Sequence, residues 1–312
     1  MAYKGGFDGL TTYVDETSFE LISKAVLGTN LGSYVDVRAG LKGNKVDIPL
    51  VDESFNIGDG ASCGWDANNT ASISTVPMDI YHAKLQHEYC PATLRDTFMA
   101  GRLAAGQFGG NESLPYEQVF AGQLVEKLQN WNEKFLIVGK GATSTGIQTP
   151  ISASGVVNAA YDIDWTSSTS IAGAHALYEG LPGEVSNADD LILVVSMGDF
   201  KALQLGVTQE NYYHISPEER TLYVPGTNIR VVPSAGITEQ TGGVAGKNTR
   251  ILTRASNIIL GTDLTGDFEQ FKLWYSEDND QVRAMMRWAI GVAVVQPELA
   301  VIANPTRTNA TT

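Results

Sequence analysis

The stretch that decides the fold lies near the end of the chain, where residues 275–302 read YSEDNDQVRAMMRWAIGVAVVQPELAVI. An acidic turn at residues 277–280 precedes strict alternation, in which Arg283 and Arg287 lie opposite an apolar face. A period of two predicts a long β-strand with one buried face. Part of the stretch also fits a period of 3.6, so a helix remains an alternative. The apolar face comprises Val282, Ala284, Met286, Trp288, Ile290, Val292 and Val294.

A long amphipathic helix is predicted upstream, over residues 113–138. Ser113 suits the N-cap, Pro115 suits the first turn, and Gly139 is expected to end the helix. Apolar residues recur at spacings of three and four, which places them on one helical face. The buried face is predicted to hold Tyr116, Phe120, Leu124, Leu128, Trp131 and Phe135, and the exposed face Glu117, Glu126, Lys127, Glu133 and Lys134.

The other segments predict a mixture of strands and short helices. A weakly amphipathic piece at residues 17–27 looks like a short helix within an N-terminal arm, and a Gly-rich excursion at residues 56–75 lies between two alternating stretches. Strands are predicted at residues 34–37, 46–50, 76–80, 191–195, 221–224, 229–232 and 271–275, and helices at 171–178 and 198–205.

The sequence is acidic overall but contains few charged residues. The 312 residues include 21 basic and 35 acidic ones, a net charge of −14. Such a chain has no global attraction for nucleic acid or an anionic membrane. Charged residues make up 18% of the chain, against a usual ~25%. The shortage is concentrated in residues 141–178, whose charges are Asp162 and Asp164. We expect a neighbouring molecule to cover this region, so changing Asp162 or Trp165 should impair assembly before folding.

Cysteine usage and the apolar runs argue against a secreted or membrane protein. Cys63 and Cys90 are too few for a disulfide framework, and nothing near Met1 resembles a secretory signal. The longest apolar runs, residues 191–195 and 288–295, fall far below the ~20 residues of a membrane span. We expect synthesis in a reducing cytoplasm.

Four residues are candidate zinc ligands: Cys63, His82, His87 and Cys90. Structural zinc sites bring their ligands in close pairs. Here the cysteines are 27 residues apart, and the two histidines would project to opposite faces of the predicted strand. Ordinary buried thiols and edge histidines are the favoured interpretation.

Phosphate, dinucleotide and calcium motifs are not supported. Residues 139–141 resemble a phosphate loop, but they follow a helix instead of preceding one. Residues 242–246 lack the glycine spacing of a dinucleotide site. In a calcium loop beginning at Asp278, Arg283 occupies the glycine position and Ala289 the bidentate glutamate position.

Two carboxylate pairs could in principle work as acid and base. These are Asp189 with Asp190 and Asp263 with Asp267. Solvated turns contain such pairs routinely, and none of the four histidines lies in a nucleophile motif. The chain is therefore not expected to be an enzyme, and no residue is expected to be catalytic, to bind a cofactor or to hold a metal.

The order of the segments carries a resemblance. In the order of its segments, the chain resembles the major capsid proteins of tailed bacteriophages with the HK97 fold. That order is an arm, a long β excursion, one long helix, a Gly-rich and charge-poor mixed region, and a long closing strand. Residues 275–302 are the most telling, since these proteins often close with such a strand, a proline and a short apolar run. Pro297 and residues 299–302 match that ending.

The resemblance implies an α+β fold with named parts. Residues 1–33 would be the N-terminal arm, and residues 34–88 an extended loop, the E-loop, that reaches over a neighbouring subunit. The spine helix 113–138 would belong to a peripheral domain of residues 89–153 and 263–304. Residues 154–262 would form the axial domain, and residues 305–312 a C-terminal tail.

The resemblance also implies a function and partners. The chain would self-assemble through hexamers and pentamers into an icosahedral shell around the phage genome, and would reside in the virion after assembly in the host cytoplasm. Portal protein, a separate scaffold and optional decoration proteins would be partners, DNA would be contacted only non-specifically, and no membrane would be involved. Lys42 and Lys45 lie where some relatives form a crosslink, but nothing identifies their partners.

Two alternatives remain from the residues alone. One is another virion part, a tail-tube or sheath protein. The other is a soluble β-rich hydrolase that depends on carboxylates, which would need a pocket with convergent acidic side chains.

Overall fold

The structure is a computed structural model, built around two mixed β-sheets and one long helix. It describes residues 29–41, 43–54, 70–89, 116–140, 144–157, 163–210, 222–238, 248–263, 270–276, 278–279 and 281–303. The strands are β1 (Asp36–Ala39), β2 (Lys45–Ser54), β3 (Thr70–Tyr89), β4 (Val156–Val157), β5 (Leu191–Ser196), β6 (Leu222–Tyr223), β7 (Arg230–Ser234), β8 (Arg250–Arg254), β9 (Ile258–Thr262), β10 (Gln270–Ser276), β11 (Gln281–Val294) and β12 (Val301–Ala303). The helices are α1 (Tyr116–Val138), α2 (Gln148–Ser154), α3 (Ser170–Glu179), α4 (Met197–Gln209) and α5 (Ala235–Thr238), with 3-10 turns at Leu31–Ser33, Ala255–Asn257 and Pro297–Leu299.

The first sheet has the order β1-β9-β11-β3-β2, with β10 also paired to β11. Strand β11 lies at its centre and confirms the strand interpretation over the helical one. Its first half pairs with β10 and β3, and its last residues pair with β9. Ala284, Met286 and Trp288 are buried as the alternation predicts, and from Ala289 onward both faces are buried.

The second sheet has the order β4-β12-β8-β5-β7-β6. Strands β6 and β7 flank the predicted turn, in which Gly226 has a φ of 76°. Strand β12, which the expected division gave to the peripheral domain, pairs here with β8. Strand β9, which that division gave to the axial domain, pairs instead with β11 in the first sheet.

Helix α1 confirms the predicted long helix, and Gly139 ends it with a φ of 76°. Leu124, Leu128 and Phe135 are buried as predicted. The prediction was wrong for Glu133, which is only 5% exposed. The reason is that the segment before β1 and α5 cover a second face of the last turns of α1, in addition to the face on the first sheet. Accordingly Leu136, Ile137 and Val138 are all buried in one cluster with residues of both sheets.

An aromatic group fixes α1 on the first sheet. Trp131 stacks on Phe135 at a centroid distance of 5.4 Å and meets Trp288 edge-on at 5.6 Å. The indole N–H of Trp288 donates to Asn132 Oδ1 over 3.1 Å, which satisfies two buried polar groups. Tyr81 of β3 packs against the same group.

The shorter helices agree with the sequence only in part. Helix α3 ends at Gly180 as predicted. Helix α4 extends from Met197 to Gln209, past the predicted end at Leu205, and Ser196 caps its start by accepting from the Asp199 N–H. Helix α2 and strands β8 and β9 were not predicted. The piece at residues 17–27 lies outside the described residues. Among the described helices none is long and apolar enough to cross a membrane.

Candidate assembly surfaces

A two-stranded ribbon leaves the first sheet. Ten residues of β2 pair with Thr70–Asp79 of β3, whereas β11 pairs with β3 only from Ile80 onward. Ten residues of β-strand span roughly 33 Å. Within the described residues, neither strand of the ribbon has a further partner along its outer edge. We call this element, residues 45–54 and 70–79, the β2–β3 ribbon.

The base of the ribbon is anchored on the chain's own sheet. Ile48 and Met78 are buried in one cluster with Ile259 of β9 and Ala293 of β11. The fit leaves no spare room, because a Cβ added at Gly261 would lie 2.5 Å from the Met78 methyl carbon. Burial of this kind holds a ribbon that would be only marginally stable alone.

The other face of the ribbon is exposed and carries a large apolar side chain. Ile73 is 74% exposed, the highest value among the large apolar side chains of the described residues. It lies on the same strand face as the exposed Thr75 and Pro77, opposite the face of Val76 and Met78. An exposed isoleucine on a projecting ribbon is a candidate contact with another molecule.

Two prolines lie in the ribbon, Pro49 in β2 and Pro77 in β3, and both are exposed. Proline cannot donate a ladder hydrogen bond, and it is one of the devices that keep exposed edges from pairing with other chains. We therefore expect the ribbon to dock through a face rather than by adding a strand at its edge.

A buried junction lies where the segment before β1 meets the body of the subunit. The buried Glu133 carboxylate of α1 accepts from the Asn30 N–H through Oε1 over 2.6 Å and from the Ala235 N–H through Oε2 over 2.7 Å. The Asn30 side-chain amide also donates to the Pro233 carbonyl. One carboxylate thus ties together the segment before β1, the long helix and the start of α5.

A buried ion pair organises the second sheet. Arg250 Nε donates to Asp199 Oδ2 over 2.8 Å, its Nη1 donates to the Ile163 carbonyl over 2.7 Å, and its guanidinium lies 4.5 Å from the Trp165 ring centroid. Trp165 is only 6% exposed. The expectation that Trp165 serves a contact between subunits was wrong: it packs in the chain's own core with Ala174 and Leu177. Asp162 lies outside the described residues.

The charge-poor stretch therefore has a cause within the subunit. Among its described residues, a large share is buried, including Ile147, Ile151, Trp165, Ala174 and Leu177. Buried positions disfavour charged side chains, so folding alone accounts for part of the shortage.

Solved structures share this arrangement over most of its length. The procapsid of satellite phage P4 matches with a TM-score of 0.56 at 7% identity, covering 93% of this chain and 98% of the other. Gordonia phage Cozz matches with a TM-score of 0.55 at 12% identity, covering 88% and 85%. The SrpI encapsulin complex of Synechococcus elongatus matches with a TM-score of 0.51 at 10% identity, covering 90% and 89%. No protein-family model and no curated protein matches the sequence.

The chain has the fold of phage capsid proteins. The resemblance read from the order of the segments is thus confirmed, and the α+β class with it. In this capsid-type fold the β2–β3 ribbon is an arm that projects from a body built on α1 and two sheets.

The candidate zinc ligands do not come together in the described part of this capsid-type fold. His82 and His87 lie on opposite faces of β3, as predicted, and His82 Nε2 lies 2.9 Å from Asn44 Oδ1. Cys63 and Cys90 lie outside the described residues. Within the described ranges, no group of three or more metal-ligating side chains is found.

Of the carboxylate pair at residues 189 and 190, Asp190 joins the start of β5 to the end of β8 and the turn after it. Asp190 accepts from Arg254 Nε over 2.8 Å and from Ser256 through both the hydroxyl and the backbone N–H. Burial raises the pKa of Asp190, but the hydrogen bonds from Ser256 and Arg254 outweigh it and hold that pKa below its ordinary value. Such a group remains ionised and is bound by structural partners, which differs from a carboxylate set up as a general acid.

The remaining candidates fall at scattered positions. Asp263 is buried at the end of β9, whereas its proposed partner Asp267 lies outside the described residues, as does Lys42. Lys45 is exposed at the base of the ribbon, in register with Asp79. Lys140, from the rejected phosphate loop, lies over the Tyr81 ring at 5.2 Å.

Proposed function

We propose that the chain is the major capsid subunit of a tailed phage, which self-assembles through hexamers and pentamers into an icosahedral shell around the genome. The observation that carries the proposal is a capsid-type fold that spans nearly the whole of this chain and of the chains it matches. The role is structural rather than enzymatic. It uses interfaces between copies, as expected for a closed symmetric assembly.

The projecting ribbon supports this function over the alternatives. A hydrolase needs a concave pocket with convergent polar groups, whereas a shell subunit needs extended contacts with its neighbours. Roughly 33 Å of two-stranded ribbon extending from a sheet, with Ile73 exposed on it, serves the second need. Neither a tail protein nor a hydrolase gains support from a specific feature of the fold.

The parts of the subunit are assigned as follows in this proposal. Residues 1–33 are the N-terminal arm, residues 34–88 the E-loop with the β2–β3 ribbon, and residues 305–312 the tail. Residues 89–153 and 263–304 form the peripheral domain with α1 as its spine helix, and residues 154–262 form the axial domain. We assign β12 to the axial domain and β9 to the peripheral domain in this proposal, because β12 pairs with β8 and β9 pairs with β11.

The proposed partners follow from the shell. Other copies of the chain are the main partner, with a portal protein, a separate scaffold and optional decoration proteins as further ones. DNA is contacted without sequence preference, since a chain of net charge −14 does not attract phosphates globally. The subunit assembles in the host cytoplasm and ends in the virion.

Expression of the chain, alone and with its neighbouring genes, followed by negative-stain electron microscopy tests the proposal. Rings, capsomers or shells are expected. A strictly monomeric protein under all conditions of salt and concentration would contradict it, and hydrolase turnover by that monomer would favour the alternative.

The enclosed genome is tested separately, because an encapsulin complex shares the fold. Particles purified from a phage lysate are treated with nuclease and then opened, and the protected DNA is measured. Genome-length DNA is expected. If shells of this chain never protect DNA, the proposed phage function is contradicted, whereas the proposal that the chain forms shells still stands.

A further inference from the structure

One face of the first sheet is open and carries basic side chains. The strands β10, β11 and β3 place three rows of residues on this face, whereas the opposite face of β11 is buried in one cluster with α1. The rows are Trp274–Arg283–Glu88, Lys272–Met285–Gln86 and Arg287–Lys84. The face with these rows is called the cationic face below.

The charges on the cationic face are not balanced within the described part of the subunit. Arg283 forms an ion pair with Glu88 over 3.2 Å. Lys84, Lys272 and Arg287 have no carboxylate of a described residue within ion-pair distance, and the first two are exposed. Four basic side chains and one acidic side chain therefore give the face a net charge of +3 in a chain whose total is −14.

Three of these cations form a compact triangle. Lys84 and Arg287 are directly opposite each other in the antiparallel ladder, and Lys272 lies diagonally across from Arg287. Directly opposite residues have Cβ atoms about 5 Å apart, and diagonal ones about 7–8 Å. Like charges at such distances destabilise the sheet, so an anionic ligand that lies across the triangle would remove a repulsion present in the isolated subunit.

We propose that the cationic face binds an extended acidic segment of a second protein, one that is not another copy of this chain. Carboxylates at alternate positions of an extended chain lie on one side of it, about 7 Å apart. This spacing is close to the separation of the three cations. One segment can therefore place two or more carboxylates over the triangle.

The composition of the face favours a separate protein over another subunit. Permanent interfaces between like subunits are more apolar than other interfaces, and charged residues are depleted at their centres. The cationic face is instead polar over most of its area, and Trp274 is its one large apolar side chain that is exposed among the described residues. A single aromatic side chain beside charged ones suits a contact between two proteins that fold separately.

Trp274 supplies the apolar anchor of this surface. Its side chain is 37% exposed. It lies two residues from Lys272 on β10, and therefore on the same face of the strand. A segment that lies over Lys272 can thus also cover the indole ring. We expect the partner segment to contain apolar residues as well as acidic ones.

A nucleic acid is the other polyanion that could bind the face, and the surroundings of the face disfavour it. From Arg283 to Arg287 the face extends about 14 Å along the strands. At one end follows the turn at residues 277–280, with three acidic residues. At the other end is the β2–β3 ribbon, with one lysine, three aspartates and one glutamate. A rigid duplex that runs along the strands would meet these acidic flanks, whereas a short flexible segment fits between them.

The first test measures the binding of a synthetic probe by fluorescence anisotropy. The probe is a fluorescein-labelled peptide of alternating glutamate and valine, about eight residues long, which is enough to cover the face. A peptide of alternating lysine and valine is its control. The chain should bind the acidic probe and not the basic one. Binding should weaken between about 50 and 500 mM salt, because screening shortens the range of charge interactions.

The second test changes the face. A face variant, Lys84→Glu with Lys272→Glu, should weaken binding of the acidic probe about tenfold, the size expected when several charge pairs are lost. Trp274→Ala should weaken it severalfold through loss of the apolar anchor. Lys127→Glu, at an exposed position on α1, is the matched control and should leave binding unchanged.

The melting temperature separates a loss of binding from a loss of folding. Lys84→Glu alone removes the like charge opposite Arg287, so it should raise the melting temperature of the subunit by about 1 °C while it weakens binding of the probe. A variant that is at least as stable as the unchanged chain cannot have lost binding because it unfolded.

Four results would overturn the inference. The first is no binding of the acidic probe at concentrations up to about 1 mM. The second is equal binding by the face variant, which would place the probe elsewhere. The third is tighter binding of a fluorescent 20-base-pair duplex than of the probe, lost in the face variant, which would assign the face to nucleic acid.

The fourth result concerns assembly. If the face variant fails to form shells where the unchanged chain forms them, the face is a contact between copies. The inference goes beyond the proposed function and is tested apart from it, because the probe can be bound by subunits that do not assemble. If the unchanged chain never assembles, the proposed function fails, whereas binding of the probe to the cationic face would still support this inference.

Discussion

The Glu133 side chain accepts a hydrogen bond from the Asn30 backbone N–H over 2.6 Å, although 103 residues separate the two in sequence. Its second carboxylate oxygen accepts a hydrogen bond from the Ala235 N–H over 2.7 Å. Two backbone donors from distant segments therefore depend on one buried side chain. The junction of the N-terminal segment, α1 and α5 is built on this carboxylate.

Glu133→Gln should destabilise the subunit. The amide offers one acceptor where the carboxylate offers two, so one buried N–H loses its partner, at a cost of about 1–3 kcal/mol in the free energy of unfolding. Urea unfolding of dissociated subunits measures the effect. Glu126→Gln, exposed on the same helix, should change stability little, and an equal effect of both substitutions would contradict the role given to Glu133.

Gly236→Ala should separate α5 from α1. A Cβ at this position would lie 2.6 Å from the backbone of Glu133, which cannot move aside as a side-chain end can. Overpacking of this kind costs about 1–3 kcal/mol. Gly183→Ala is the control, because nothing lies within 4 Å of a Cβ there. Equal melting temperatures for the two variants would argue against the close approach.

Two ion pairs of equal length should differ sharply in their effect on stability. Arg250 and Asp199 are 2.8 Å apart with side chains 0% and 4% exposed, whereas Arg254 and Asp190, also 2.8 Å apart, have side chains 42% and 31% exposed. Arg250→Met leaves an uncompensated buried charge and should cost about 3–5 kcal/mol. Arg254→Met should cost below about 1 kcal/mol. Unfolding curves of both variants measure the two losses of stability. Similar losses would show that the burial of an ion pair does not determine its contribution to stability.

Asp190 should make the subunit more stable at neutral than at acid pH. Its pKa in the folded chain lies below the ordinary value of 3.8, so the folded state binds fewer protons than the unfolded state in that window. The contribution is complete above pH 3.8 and is lost as the pH falls through the lower folded pKa. Asp190→Asn should therefore lower the melting temperature at pH 7, and the gap from wild type should narrow toward pH 3. A gap that stays constant would contradict this assignment.

Ile73→Ser should weaken assembly without weakening the fold. The side chain is 74% exposed, so its replacement removes few contacts within the subunit. Ile48→Ala in the buried base of the same ribbon should instead cost about 2–5 kcal/mol of subunit stability. Light scattering for assembly and urea unfolding for stability separate the two effects. Normal assembly of Ile73→Ser would show that Ile73 does not contribute to the contact between copies.

The elements that could be predicted are those whose pattern of buried and exposed residues repeats along the sequence. Strand β11 shows a period of two and α1 a period of 3.6, because part of each element, among the described side chains, has one face on a core and another face away from it. Strands β8 and β9 were missed because they are buried on both faces and show no alternation. The cap at Ser196 could have been found, since a serine three residues before Asp199 is a helix-start signal.

The features that escaped prediction arise from contacts distant in sequence. The burial of Glu133 depends on α5, about one hundred residues further along the chain. Trp165 was assigned to a contact between subunits because the stretch around it lacks charge, yet Arg250 covers its ring from 85 residues away. The opposition of Lys84 and Arg287 follows only from the register of β3 with β11. Spacing along the chain cannot reveal such pairs.

Strand β3 belongs both to the projecting ribbon and to the sheet that supports α1. Because it is one continuous strand of 20 residues, tension applied to the ribbon acts along the strand axis. The ten residue pairs between β3 and β11 would then be loaded in shear, all together, rather than peeled apart one by one. A shell under internal pressure would transmit force from the arm of one subunit directly into the central sheet, with no hinge between them.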